Sequence, residues 1–321
     1  MLFLVRRRSN NPQMALTSTA GSRDPQGLST RLFLLGPNDS PPPSAEVRVE
    51  FGAESRARAP GAANTDHYMV VRLGRNQETL LTSLPREDTP QRFDEFAHGL
   101  LVADGLGATG EEASRLAITT LTHMALHFGR WNVRINPTIA EEVMERGKRF
   151  YRGVDSVLLE AGKGRAGLQS TLTAVYSAGN EMFVVHVGHS RAYLFRDGQL
   201  LPLTHDDTVS STRPAWARTI DPADSARDLH HILTDVLGQG EATGPTIDIE
   251  RCGILDGDVV LLCTNGLTDV VDDARIADTL QRNKKPADQC RALVALAVQS
   301  GSNDDVTAIT GRYQIVQRSP D

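Results

Sequence analysis

Between Thr171 and Leu203 the chain reads TLTAVYSAGNEMFVVHVGHSRAYLFRDGQLLPL. Four short apolar runs, TLTAVYS, MFVVHV, AYLF and QLLPL, are separated by Ala178-Gly179-Asn180, Gly188-His189-Ser190 and Arg196-Asp197-Gly198. Turns this short cannot carry a crossover helix, so the spacing predicts consecutive strands paired antiparallel.

Working outward, VRVEF, YMVVRL after Asp66 and LLVAD (Leu100 to Asp104) read as earlier strands, the last running into Gly105-Leu106-Gly107. A helix follows with Glu111 and Glu112 in its first turn and Ala113, Leu116, Ala117, Leu121, Met124 and Phe128 on one face. Pro137 and the capping-box pattern Thr138-Ile139-Ala140-Glu141 predict the start of a second, with Val143, Phe150, Val154 and Leu158 as its stripe. Downstream, VVLLC (Val259 to Cys263) is a buried strand that stops at Thr264-Asn265-Gly266; helices near Ala274–Leu280 and Ala287–Gln299 precede a last strand, Val306 to Tyr313. Antiparallel strands with helices grouped apart from them predict an α+β layered domain and not a doubly wound sheet.

With 321 residues, 40% of them hydrophobic, the chain can bury a sizeable core. A formal net charge of -6 argues against a general nucleic-acid binder. Cys252, Cys263 and Cys290 are odd in number and lack C-x-x-C spacing, which predicts buried thiols in a reducing compartment and hence a cytoplasmic protein. In MLFLVRRR the apolar Leu2 to Val5 is too short for a signal sequence and its arginines follow instead of preceding; no run approaches a membrane span, so no membrane association is expected. Residues 1–45, rich in Ser, Pro, Asn and Gly, are expected to be a disordered extension, 46–315 the folded domain and 316–321 a tail.

Asp66, Asp104 with Gly105, Asn265 with Gly266, and Asp304 with Asp305 all stand at ends of apolar strands. Singly, each is more often a turn residue than a ligand. Together, at one end of a pair of sheets, their oxygens would form a site for a hard cation such as Mg or Mn.

NTDHY, LLVADGLGATGEEASRLA, AGLQSTLTAVYSAG, FVVHVGHSRAYLFRDGQLLPLTHDDT, DGDVVLLCTNGLTDVVDD and GSNDDVTAI occur in this order from about Val47 to Tyr313. In this the chain resembles the PPM family, the metal-dependent type 2C serine/threonine protein phosphatases. The resemblance implies a β-sandwich of two antiparallel sheets flanked by helices, a four-layer αββα fold. It also implies hydrolysis of phosphoserine and phosphothreonine in proteins through a metal-bound water at two ions of Mg or Mn. By that resemblance Asp104 bridges the metals, Gly105 offers its carbonyl, Asn265 and Asp304 are metal ligands, and Asp66, Asp305 and Thr65 support them.

The chain departs from the family pattern at several of these positions. Asn265 stands where the family has Asp, Thr65 where a Glu ligates the second metal, Asp305 in place of Asn, His189 in place of an Asp near an additional metal, and Gly61 where a phosphate-binding Arg is usual. Arg56 or Arg58 could replace that Arg. Loss of two carboxylates predicts weakly held ions, or only one, and slower turnover; Asp305 would return part of the lost charge. His189 can act as a general acid or soft ligand, or be a loop histidine with neither role. The alternative is a pseudophosphatase, a regulatory domain that binds a phosphoprotein or kinase without hydrolysis. Expected partners are a phosphorylated protein substrate and a serine/threonine kinase or its targets, with the chain a monomer. Asp206 to Arg227, where the family carries a variable flap, is the expected seat of partner selectivity.

Overall fold

Strand alternation and tight turns generate most of the architecture. The computed structural model describes residues 46–77, 79–85, 93–130, 135–164, 167–209, 232–240 and 244–316. The expected extension over 1–45, most of the Asp206–Arg227 stretch and the tail beyond Val316 lie outside the described residues. Contacts divide the chain into one unit of residues 41–78 and 91–321 and another of 1–40 and 79–90; all that follows concerns the first.

One sheet contains β1 (Glu46–Arg56), β6 (Arg191–Arg196), β7 (Gln199–Pro202), β9 (Val259–Cys263) and β10 (Val306–Val316), in the order β1-β10-β9-β6-β7. The other contains β2 (Asp66–Gln77), β3 (Phe93–Asp104), β4 (Leu172–Ala178), β5 (Glu181–Val187) and β8 (Asp248–Gly253), in the order β2-β3-β4-β5-β8. Every pairing is antiparallel.

The helices are α1 (Gly110–Phe128), α2 (Pro137–Gly162), the single turn α3 (Asn265–Thr268), α4 (Asp273–Arg282) and α5 (Pro286–Gln299). Period-two alternation distributes the strands' side chains between two interfaces. Val260 and Leu262 meet Leu100, Val102 and Val184 between the sheets. Val259, Leu261 and Cys263 face Leu267, Ile276 and Leu293 of α3, α4 and α5. Leu101 and Ala103 of β3 turn the other way, onto Ala117, Leu121, Val154 and Leu158 of α1 and α2. The layering is therefore helices, sheet, sheet, helices. β9, the middle strand of its sheet, is apolar throughout because both its faces are covered.

Four local features differ from the expectation. β5 and β6, expected to pair across Gly188-His189-Ser190, lie in different sheets, so that short turn carries the chain from one sheet to the other instead of closing a hairpin. The cap of α2 is Asn136, whose side chain accepts from the Ile139 N–H with Pro137 as the first helical residue, so Thr138 does not cap. Phe128, the last residue of α1, is 73% exposed. β8, DIERCG, has too little apolar alternation to be read as a strand, yet it pairs with β5 at the sheet edge. Of the thiols, Cys263 and Cys290 are buried and Cys252 is half-buried, all of them free. No helix among the described residues is long and apolar enough to cross a membrane.

Antiparallel pairing also gathers the acids. Asp66 opens β2 directly opposite Asp104, which ends β3. Ala308, near the start of β10, is opposite Cys263, which ends β9.

Candidate active site

The end of β9 ties the two sheets together. Fully buried Thr264 donates its backbone N–H to Thr307 O, and its hydroxyl accepts from the Thr307 N–H while donating to Asp66 Oδ2 at 2.8 Å. The turn that follows packs on the start of β10. A Cβ on Gly266 would lie 2.0 Å from Asp305 O, so this position requires glycine.

Asn265 faces two acids from that turn. Its Nδ2 donates to Asp269 Oδ2 at 3.0 Å and to Asp304 Oδ2 at 3.4 Å, whereas its buried Oδ1 has no hydrogen-bond partner. Asp304 Oδ1 accepts the Asp305 N–H at 2.8 Å.

Asp305, expected to lend charge to the metals, is engaged elsewhere. Oδ1 accepts from the Arg58 N–H at 2.7 Å, and Oδ2 accepts from the Thr65 N–H and hydroxyl at 2.6 and 2.7 Å. The carboxylate thus staples both ends of the β1–β2 loop, which turns through Gly61 at φ +80° with the Ala62 N–H on Ala59 O. Arg56 and Arg58 extend exposed side chains from this segment.

Asp104 is fixed by its backbone. Its N–H donates to Thr171 Oγ1, its carbonyl accepts from the Thr171 N–H and from Ser170 Oγ, and Thr171 in turn bonds Ser190. The Gly105 N–H donates to Thr65 O, which also accepts from Ser114 Oγ of α1. A Cβ on Gly105 would stand 1.8 Å from Gly110 O, so the strand end and the helix start are in direct contact. His189 is 6% exposed in the turn between β5 and β6.

Burial pushes the Asp66 carboxyl up to about 7 against the hydrogen bonds from Thr264 and Thr307, with Asp305 and Asp304 adding to the rise. Burial, then the charges of Asp66, Asp304, Asp305 and Asp269, hold Asp104 well above the usual carboxylate range. Crowded, desolvated carboxylates favour either protons or a bound cation. The donors here are oxygens, with Asp66 Oδ1 and Asn265 Oδ1 buried and without hydrogen-bond partners, which suits a hard divalent ion in kind. The acids alone do not enclose one: among the described residues no three His, Cys, Asp or Glu side chains form a group that could hold a metal.

The structure brings Asp66, Asp104, Asp304, Asp305, Asn265 and Thr65 together. Sequence reading missed Asp269, although an acid four residues after Asn265 shares its face in a helical turn, and missed the hydroxyls of Thr171, Thr264 and Ser190, which the strand pattern alone does not mark.

Residues 78–298 match the protein phosphatase 2C family. The serine/threonine protein phosphatase PstP of Mycobacterium tuberculosis is 32% identical over 215 residues, 65% of this chain and 39% of the relative, so the chain spans about two fifths of that relative's length. The crystal structure of M. tuberculosis PstP/Ppp superposes with a TM-score of 0.61 at 26% identity, covering 83% of this chain and 99% of that one. The PstP catalytic domain in complex with two manganese ions gives 0.59 at 26% identity, covering 84% and 99%. A family match over most of the chain, on the αββα layering described above, has one conclusion: this chain belongs to the protein phosphatase 2C family.

Proposed function

We propose that the chain is a metal-dependent serine/threonine protein phosphatase that hydrolyses phosphoserine and phosphothreonine in a phosphorylated protein. The observation that carries this reading is the convergence of acids at the shared end of both sheets: buried Asp104 stands opposite Asp66, and Asn265 donates to Asp304 beside them. The name of PstP and the two manganese ions of its catalytic domain support carrying activity and metal over to this chain.

Asp104, Asp304, the Gly105 carbonyl and Asn265 Oδ1 would hold Mg or Mn. A divalent cation, when bound, acidifies water and offsets charge on the transferring phosphoryl group. Thr264 keeps Asp66 oriented across the sheets. Asp305 positions the loop that carries Arg58, a cation for the substrate phosphate. With Asn265 neutral and Asp305 engaged, the ion is held more weakly than by a full carboxylate set. His189, in the turn whose Ser190 bonds Thr171, would serve as a proton donor to the leaving group. The chain acts as a cytoplasmic monomer beside a serine/threonine kinase or its targets.

One observation favours a second reading, a phosphoprotein- or kinase-binding domain without hydrolysis: the Asn265 amide donates to the two acids that would otherwise face a cation. Hydrolysis of p-nitrophenyl phosphate and of a phosphothreonine peptide, with Mg and then Mn titrated, decides between them. The enzyme reading expects Mn-dependent turnover that Asp104→Asn abolishes. An inert wild type at millimolar Mn, together with turnover gained by Asn265→Asp combined with Thr65→Glu, establishes the binding domain instead.

A further inference from the structure

A cavity lies away from the acids, between α1, α2 and the outer face of β2-β3-β4-β5. Its volume is about 400 Å³, within the range of small-molecule sites. Val71, Leu101 and Ala174 form its floor, Leu121 one wall, and Val143 and Phe150 the other. The cavity opens to solvent at one side, and a lining this apolar offers water little to bond. The space suits an apolar body.

The polar groups on its wall specify the other end of an occupant. Thr122 and Tyr151 are committed, their hydroxyls donating to Ile118 O and Val185 O. Arg146 is different. Its side chain is 11% exposed, with Nη1 on Arg130 O at 3.2 Å and Nη2 only 3.4 Å from Glu142 Oε2. The same Glu142 oxygen lies 3.6 Å from Arg130 Nη1, so among the described residues one half-exposed carboxylate serves two guanidinium groups at the mouth. Leu126, 46% exposed, adds apolar surface at the lining.

We propose that this cavity binds an amphipathic organic anion, a fatty carboxylate whose chain fills the space over Ala174 and whose head pairs with Arg146. The site shares no lining residue with the acid cluster and is independent of whether that cluster is catalytic.

Dodecanoate and dodecanol, kept below micelle-forming concentrations, test it by calorimetric titration of the full chain. Dodecanoate is expected to saturate at one per chain and to bind at least about tenfold more tightly than the alcohol, the effect of one charge-assisted pair. Arg146→Met should remove that preference while leaving dodecanol binding intact, which also shows that the variant is folded; Arg146→Lys should keep much of it. Ala174→Leu on the floor and Ala125→Leu on α1 should each weaken both ligands. Absence of saturable binding by the wild type overturns the proposal. So does a carboxylate preference that survives Arg146→Met, or undiminished binding in both filled variants.

Discussion

The Asp305 carboxylate holds Thr65 twice, accepting its N–H at 2.6 Å and its hydroxyl at 2.7 Å. Relative to the family pattern, the acid and the neutral group have exchanged places, with charge moved from position 65 to position 305. That charge is spent on the loop, since the third donor is the Arg58 N–H. Asp305→Asn leaves one oxygen for three donors and should destabilise the fold by about 2 kcal/mol. Thr65→Val removes one hydroxyl donor and should cost about 1 kcal/mol. Urea unfolding of both singles and the double variant tests the pairing, because contacting groups give less than additive losses.

Asn265 sits between two acids, Asp269 and Asp304. Asn265→Asp replaces the donor to Asp269 and Asp304 with another negative charge. Thermal unfolding in chelator should therefore occur at a lower temperature than for the wild type. In manganese the order should reverse, with affinity by equilibrium dialysis about tenfold tighter or more. A variant that is destabilised equally in chelator and in manganese would place no cation at this residue.

Two glycines separate steric from conformational demand. Gly266→Ala drives a methyl to within 2.0 Å of Asp305 O, backbone that cannot step aside without moving the acid pair, and should cost about 3 kcal/mol. Gly61→Ala meets nothing within 4 Å but must adopt φ near +80°, a cost of about 1 kcal/mol. Thermal unfolding of the two variants ranks them.

The sandwich was legible because its signals are local. The tight turns at Gly179-Asn180 and Asp197-Gly198 join antiparallel partners, whereas Gly188-His189-Ser190 looks the same in sequence and crosses between the sheets; the unbroken apolar run of β9 marks a strand covered on both faces. The acids' convergence followed from strand ends. Relationships across the fold were not legible. Thr264 and Asp66 are 198 positions apart, and nothing in either neighbourhood announces that one hydroxyl joins the sheets. Asp305 shows the same limit: its charge is plain in the sequence, but its commitment to Arg58 and Thr65 depends on how a distant loop closes. β8 escaped because edge strands need little apolar alternation.

His98 supplies a pH dependence remote from the acids. It is 5% exposed between the sheets, its ring 5.4 Å from that of Phe51. Burial, and secondarily Arg72, lowers it from 6.5 to about 4. The folded chain therefore keeps this imidazole neutral where the unfolded chain protonates it. Its contribution is complete above pH 6.5 and is lost as pH falls toward 4, where the unfolded state binds the extra proton; the total is at most about 3 kcal/mol. His98→Phe keeps an aromatic ring against Phe51 and removes the titration. Urea midpoints measured from pH 7 to pH 4.5 should fall less steeply for the variant, the difference in slope approaching about one proton. Equal slopes would mean that the folded protein protonates His98 as readily as the unfolded chain does.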